Sequence, residues 1–318
     1  MIKKRIIGEY QGAEKGPLLV VFGNMHGNEP AGFKAIDLMI KMIEVEPITN
    51  PEFNFKGKFL GITGNLKAAN KGVRFIDKDL NRCWSSDIIE KINKNPHDKL
   101  NAEEKEIKEI IALLKHKIDE YQPDKLYVLD LHTTSSTGGI FTIVPDIKES
   151  VEIALKLNAP VILGLLNGVK GTSTEYFSGY FHNVPSVSLT FESGNHNDIL
   201  SVNRAIAAMT NLMTIIGNFE SQHVENRHNM LLQEFSKGLP KLSKLLYKHH
   251  ITPEDKFVMN PGYENFQKIE KGEILAKDKN GIIKSPYKGR ILMPLYQKLG
   301  EDGFFIIKEI SGLHDCCK

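Results

Sequence analysis

The stretch PLLVVFGNMHGNEPAG, residues 17–32, decides the fold. Its apolar run predicts a buried strand, and the Gly, Asn and Pro residues that follow favour a turn. The next segment, FKAIDLMIKMIE at residues 33–44, has apolar residues at helical spacing. The turn does not need His26 or Glu29 for its shape. These two side chains either lie in solvent at a surface turn, or the turn exists to hold them for a function.

The same alternation of strand and helix continues along the chain. Further strands are predicted at residues 56–72, 124–134, 159–166 and 184–194, and helices at residues 101–118 and 201–219. Asn101 and Glu104 have the spacing of a capping box at the start of the first of these helices. Alternating strands and helices predict an α/β sheet that is covered by helices on both faces.

The composition changes near residue 235. After KGLPKL at residues 237–242, short strand-like pieces are separated by the turn signals KNG, SPYKG and EDG. We therefore expect two domains, a catalytic domain at residues 1–235 and a small C-terminal all-β domain at residues 236–318.

Bulk composition excludes several classes of protein. The 318 residues include 41 basic and 39 acidic side chains, and a formal charge of +2 provides no strong field for nucleic acid or an anionic membrane. No apolar run approaches the roughly 20 residues that span a bilayer. The basic N-terminus lacks the apolar core of a signal peptide. Three cysteines without framework spacing, Cys83, Cys316 and Cys317, favour a reducing cytoplasm. The sequence leaves open whether the chain forms a homo-oligomer.

Four polar clusters follow predicted strands, at the edge where open α/β sheets bind ligands. They are His26 with Glu29, the segment RFIDKDLNRCW at residues 74–84, Asp130 with His132, and Glu192. Asp130 and His132 are two residues apart on a strand, so their side chains lie on the same face.

A catalytic zinc site takes three ligands from His, Asp and Glu and leaves one position open for water. The residues His26, Glu29 and His132 supply such a set. Glu192 is then free to act as general base on the metal-bound water. No cysteine is placed to build a structural zinc site instead.

The arginines of the second cluster need anionic partners. A substrate carboxylate would match the guanidinium of Arg74 or Arg82, and Asn81 could add a donor. Asp79 would then position the arginines, and Asp130 would orient a ligand histidine. The alternatives are a surface group of salt bridges with little energetic value and, for Asp130, a plain hydrogen bond at a strand end.

Together, HGNEPAG, VRFIDKDLNR, DLHTTSS and FESG resemble the succinylglutamate desuccinylase/aspartoacylase family, which belongs to the zinc carboxypeptidase-like, M14-type hydrolases. The resemblance runs in order from about residue 18 to 195, and the strand-rich tail is similar to the family's C-terminal β domain. It implies a mixed, largely parallel central sheet flanked by helices. It also implies hydrolysis of a small N-acyl amino acid to a carboxylate and a free amino acid.

The resemblance also implies a role for each site residue. One Zn²⁺ per subunit would be bound by His26, Glu29 and His132, and Glu192 would be the general base. Arg74 would polarise the scissile carbonyl and stabilise the tetrahedral intermediate. Arg82 and Asn81 would take the α-carboxylate of the substrate.

Two departures from the family pattern affect the expected substrate. Aspartoacylases have an arginine shortly before the catalytic glutamate, whereas EYFSGYFHNVPSVSLTF at residues 175–191 has neither arginine nor lysine. Its obvious polar side chains are Tyr176, Tyr180 and His182. The stretch EDGFF at residues 301–305 has two phenylalanines where those enzymes use a tyrosine. We therefore expect a neutral or apolar side chain, or an unusual acyl group, and not N-acetylaspartate.

Other functions remain open on sequence alone. A zinc carboxypeptidase for short peptides would need an open groove, whereas a β domain folded over the site would restrict it to small molecules. A non-catalytic metabolite-binding relative would normally have lost a ligand or the base. An ester or thioester is also chemically accessible to such a site. Four further residues are expected to be structural or to lie in loops, namely His196, Cys83, His249 and His250.

Overall fold

A computed structural model describes residues 3–223 and 226–312. Its main feature is a 12-stranded sheet. The strands of this sheet are β1 Ile6–Gln11, β2 Glu14–Gly23, β3 Lys56–Thr63, β4 Leu126–Thr134, β5 Phe141–Ile143, β6 Val161–Leu163, β7 Gly179–Phe181, β8 Val184–Asn195, β9 Leu242–His250, β11 Lys268–Ile269, β14 Gly289–Leu292 and β15 Asp302–Glu309. Their order in the sheet is β1-β3-β2-β4-β8-β5-β6-β9-β15-β14-β11, and β7 pairs with β8. A separate antiparallel sheet contains β10 Val258–Met259, β12 Ile274–Asp278 and β13 Gly281–Lys284.

Helices cover both faces of the sheet. They are α1 Pro30–Thr49, α2 Leu66–Lys71, α3 Ser86–Lys94, α4 Ala102–Tyr121, α5 Lys148–Lys156, α6 Leu165–Gly168, α7 Ser173–Tyr176, α8 Leu200–Ile216 and α9 Arg227–Phe235. One face packs against α1, α5, α8 and α9, and the other packs against α3 and α4. The predicted α/β fold with a mixed, largely parallel sheet is confirmed. No helix in the described ranges is both long and apolar enough to cross a bilayer.

The strands that carry the predicted site residues are parallel neighbours. β2 lies between β3 and β4, and β8 pairs with β4 on its other side. Residues 18–22 of β2 are completely buried because helices cover both faces at this point. The register aligns Phe22 with Asp130, and His132 with Glu192. The carboxyl ends of these strands therefore meet at one edge of the sheet.

Several local predictions are confirmed, and others need correction. Asn101 and Glu104 form the predicted capping box at the start of α4. The exit from β3 is not a plain glycine-rich loop, because Asn65 caps α2 there with its side chain. The edge strand β1 and the three-residue strand β5 are too short or too polar to stand out as strands in the sequence.

The C-terminal region consists of strands, as predicted, but most of them extend the central sheet. β9 pairs in parallel with β6, and β15, β14 and β11 follow in antiparallel order. The separate three-stranded sheet lies in this region too. Residues on both sides of position 235 thus share one sheet, and the division into domains at residues 1–235 and 236–318 stays a prediction.

Candidate active site

The turn after β2 has a backbone that only particular residues can adopt. Asn24 has a left-handed conformation with φ of 57°, and its Nδ2 donates to the carbonyl oxygens of Gly27 and Glu29. A Cβ at Gly27 would lie 2.3 Å from the carbonyl carbon of Ala68, so this position needs glycine. Pro30 starts α1 directly afterwards. The turn therefore fixes His26 and Glu29 at the carboxyl end of β2.

His26, Glu29 and His132 form one buried group. Their potential ligand atoms all lie within 4.8 Å of one another. Nδ1 of His26 is 2.8 Å from Oε1 of Glu29, and Nδ1 of His132 is 3.1 Å from Oε2 of the same carboxylate. The structure thus brings these three side chains together, although more than 100 positions separate Glu29 from His132 along the chain.

The other ring nitrogen of each histidine faces a second carboxylate. Nε2 of His26 is 3.0 Å from Oδ1 of Asp79, and Nε2 of His132 is 3.1 Å from Oδ2 of Asp130. Carboxylates placed in this way commonly orient metal-binding histidines. Both Nδ1 atoms are consequently directed at the shared carboxylate of Glu29. A mixed nitrogen and oxygen donor set of this kind fits zinc.

The charges in this group balance one another. Burial acts to raise the pKa of Glu29, but the two histidines hold that pKa well below its usual range. Burial likewise opposes ionisation of Asp79, yet His26 and Arg74 hold its pKa well below normal. Burial acts to lower the pKa of His132, but Asp130 and Glu29 raise it well above its ordinary value. The carboxylates of Glu29 and Asp79 are thus held in their ionised form.

Arg74 lies beside the His26–Glu29 pair. Its Nε and Nη2 donate to Oδ2 of Asp79 at 3.1 and 2.8 Å, and its Nη1 is 3.6 Å from Oε1 of Glu29. Burial acts to lower the pKa of Arg74, whereas these two carboxylates raise it. The guanidinium therefore stays charged, with Asp79 as its principal partner.

Arg82 is held by acidic residues from the C-terminal region. Its Nη2 donates to Oδ2 of Asp302 at 3.1 Å, and its Nε lies 3.7 Å from Oε2 of Glu301. Neighbouring Asn81 accepts from the backbone N–H of Ser173 at 2.9 Å. No local pattern indicates Asp302 as a partner of Arg82, because 220 positions separate the two residues.

Glu192 occupies the carboxyl end of β8, directly opposite His132 on β4. Its side chain is buried, and among the described residues its Oε2 has no hydrogen-bond partner. Burial, with added repulsion from Glu29 and Asp130, raises the pKa of Glu192 to about 8, although His132 acts in the opposite direction. A carboxylate with a raised pKa and a free oxygen is suited to take up a proton.

One cavity of about 120 Å³ is lined by His26, Glu29, Arg74, Asn81, Arg82, His132 and Glu192. Asp79 and Asp130 are not part of its lining. Segment 293–302 from the C-terminal region contributes to its wall, together with Phe305 on β15. The charged and polar residues named above form one part of the lining, which we call the polar side. The apolar part of the lining, which we call the apolar side, contains Ile143, Leu165, Leu166, Val169, Met293, Leu295 and Phe305. All of these except Leu295 belong to one hydrophobic cluster.

The polar side chains noted in residues 175–191 lie away from the cavity. Tyr176 packs against Trp84, Tyr180 is 72% exposed, and Nε2 of His182 is 2.7 Å from Oδ1 of Asp119. None of the three lines the cavity, so these side chains do not stand in for the missing arginine there.

Other expectations have mixed outcomes. His196 was expected to be a plain loop residue, but it lines the cavity, and its Nδ1 is 2.6 Å from Oγ1 of Thr133. Burial lowers the pKa of His196. Burial raises the pKa of the Cys83 thiol to about 12, which agrees with a packing role. His249 stacks on Phe304 in the β region, and Cys316 and Cys317 lie outside the described residues.

Comparison with known proteins identifies the family. A model of the succinylglutamate desuccinylase/aspartoacylase catalytic domain matches residues 15–215. The chain belongs to this family. Within the desuccinylase/aspartoacylase family, a probable aspartoacylase from Nostoc sp. is 32% identical over 126 residues, which is 40% of this chain and 38% of that relative.

Two further comparisons extend over more of the chain. A succinylglutamate desuccinylase from Shewanella sp. (strain MR-4) is 25% identical over 285 residues, which is 85% of this chain and 75% of that relative. The crystal structure of a succinylglutamate desuccinylase/aspartoacylase from Rhodobacter sphaeroides has a TM-score of 0.65 at 14% identity. That similarity covers 95% of this chain and 88% of the other, and it supports the fold.

Proposed function

We propose that this protein is a zinc-dependent hydrolase that cleaves the amide bond of a small N-acyl amino acid. The observation that carries the proposal is the convergence of His26 and His132 on Glu29, with the raised-pKa carboxyl of Glu192 opposite. The printed names of the relatives, aspartoacylase and succinylglutamate desuccinylase, support the same reaction class.

The metal would be held by Nδ1 of His26, Nδ1 of His132 and the carboxylate of Glu29. When bound, zinc supplies a Lewis acid that polarises a carbonyl and brings the pKa of water to about 7. Asp79 and Asp130 would fix the two imidazole rings through their Nε2 atoms. Both carboxylates are themselves held in place, since Arg74 binds Asp79 and Ser173 donates to Asp130.

Glu192 would move the protons. In the proposed reaction its carboxylate takes a proton from the attacking water, whose oxygen forms a bond to the acyl carbon. Glu192 then passes that proton to the leaving nitrogen as the C–N bond breaks, so that the products are a carboxylate and an amine. Arg74 would stabilise the negative charge that develops on the acyl oxygen, because its guanidinium lies at the same wall.

Arg82 and Asn81 would bind the α-carboxylate of the substrate. The guanidinium of Arg82 reaches the cavity with its side chain 23% exposed, so it can bind a further anionic group beside Asp302 and Glu301. A fork-like contact with a carboxylate would fix the amino acid relative to Glu192.

The small volume of the cavity favours a small substrate over a peptide. Leu295, Gln297 and Gly300 contribute to its wall from the C-terminal region, and its volume is only about 120 Å³. A carboxypeptidase would need room for a longer chain. The intact group of His26, Glu29, His132 and Glu192 also argues against a non-catalytic binder. A cytoplasmic location is part of the proposal and is supported by the free thiol of Cys83.

The test is release of free amine by the zinc-loaded protein from N-formyl, N-acetyl and N-succinyl amino acids, with dipeptides included. We expect release from N-acyl amino acids that a chelator abolishes and added zinc restores. Release only from dipeptides would favour the carboxypeptidase. Release that is insensitive to the chelator would contradict the zinc-dependent reaction, and zinc binding without any release would favour the binder.

A further inference from the structure

We infer that the substrate has a single carboxylate and presents a small apolar group to the wall formed by Ile143, Leu165, Leu166, Val169 and Phe305. This inference rests on the proposed function and specifies its substrate class. The apolar group is either a short N-acyl chain or a small aliphatic side chain of the amino acid.

The wall is built from core residues and not from a mobile surface. Ile143 lies on β5, Leu165 and Leu166 on α6, and Phe305 on β15, and all are buried. They form one hydrophobic cluster with residues such as Phe141 and Leu292 behind them. A charged group against this wall would lose its hydration without gaining a partner, which is costly.

The cations in the cavity already have partners. Arg74 is bound by Asp79, and Arg82 is bound by Asp302 and Glu301. Among the described residues, no lysine lines the cavity, and Arg74 and Arg82 are the arginines that line it. One substrate carboxylate can join the exposed part of Arg82. A second carboxylate on the acyl group or the side chain would find no cation of its own.

The size of the cavity limits the apolar group. An apolar cavity of about 150 Å³ in another protein holds a benzene-sized ligand. The cavity here has about 120 Å³ and must also accept the amide. The apolar group is therefore expected to contain only a few carbon atoms.

Two substrate series test this inference on the wild-type, zinc-loaded protein. The acyl series is N-formyl-, N-acetyl-, N-propionyl- and N-butyryl-alanine. The side-chain series is N-acetyl-glycine, -alanine, -valine, -phenylalanine, -aspartate and -glutamate. Each added carbon that reaches the wall should raise kcat/KM by about tenfold or more. The series that shows this rise identifies which part of the substrate occupies the wall.

The acidic substrates provide the opposite test. We expect kcat/KM for N-acetylaspartate and N-acetylglutamate to be at least about 100-fold below that of the best aliphatic substrate. A preference for acidic substrates, or equal values throughout both series, would overturn the inference and leave the proposed deacylase intact. Absence of hydrolysis in every case would instead contradict the proposed function.

Variants then locate the wall and the charge balance. Val169→Ala should move the optimum to a chain one or two carbons longer, whereas Val45→Ala on the exposed side of α1 should leave it unchanged. Ile143→Val is a milder change that preserves folding if Val169→Ala does not fold.

Asp302→Asn removes a negative charge from beside Arg82. It should reduce the ratio of kcat/KM for the best aliphatic substrate to kcat/KM for the acidic substrates by about tenfold. If Val169→Ala leaves the preferred chain length unchanged and Asp302→Asn leaves this kcat/KM ratio unchanged, the assignment of these residues is contradicted.

Discussion

The polar and apolar sides of the cavity come largely from different parts of the fold. Most of the polar side lies at the ends of the adjacent parallel strands β2, β4 and β8 and in the segment that contains Arg74 and Arg82. Most of the apolar side comes from β5, from α6 and from residues 293–295, whereas β15 contributes Asp302 to the polar side and Phe305 to the apolar side. In the proposed function, the first side carries the reaction and the second side selects the substrate. Substitutions on the two sides should therefore change different kinetic quantities.

The largest effect is expected on the polar side, at Glu192. Glu192→Gln should lower kcat by about 100-fold to 10,000-fold, because the carboxamide cannot take a proton from water. The bound zinc should remain at one equivalent, measured by elemental analysis. Glu90→Gln on the surface of α3 is the matched control and should have normal activity. A near-normal rate for Glu192→Gln would remove the base from the proposed reaction.

The carboxylates behind the histidines should affect metal binding. Asp130→Asn and Asp79→Asn are each expected to weaken zinc binding by about 10-fold to 100-fold, measured by competition with a chromogenic chelator. Asp37→Asn, an exposed change on α1, is the control. Zinc affinity equal to that of the wild type in both variants would show that the two rings are oriented by other contacts.

Arg82 lines the cavity and is proposed to bind the substrate carboxylate, so its variant distinguishes binding from reaction. Arg82→Ala should raise KM by about 10-fold to 100-fold, since a hydrogen bond to a charged group is lost, with a smaller change in kcat. Steady-state kinetics on the best N-acyl amino acid measure both. An unchanged KM with a lowered kcat would place Arg82 in transition-state stabilisation instead.

The smallest effect is expected away from both sides of the cavity. Asn101→Ala removes the side-chain acceptor at the start of α4 and should lower the free energy of unfolding by about 1 kcal/mol. Urea denaturation measures this change, and kcat/KM below the transition should equal the wild-type value. A loss of activity without a loss of stability would mean that α4 contributes to the site directly.

The difference between the two sides also explains what the sequence could predict. A short motif at a strand end fixes its own local geometry. The sequence therefore reveals two such pairs, His26 with Glu29 and Asp130 with His132. The order of strands in a parallel sheet then brought these motifs together, and the structure agrees with that expectation.

The apolar side could not be predicted in the same way. β5 has only three residues, and the partners of Arg82 are 219 and 220 positions away. The sequence shows the pair Phe304 and Phe305, but only the register of β15 decides which of the two rings faces the cavity. Phe305 lines it, and Phe304 stacks on His249 with the ring centroids 4.9 Å apart. Such choices depend on tertiary contacts that no local pattern contains.

Zinc titration of the metal-free protein tests the central claim most directly. Zinc would be added in fractions of an equivalent while amine release from an N-acetyl amino acid is measured, with N-acetylalanine as the first substrate. The account predicts activity that rises linearly and ends in a plateau at one zinc per chain, with a shallower rise for Asp130→Asn. Full activity before any zinc is added, or activity that never responds to zinc, would contradict the account.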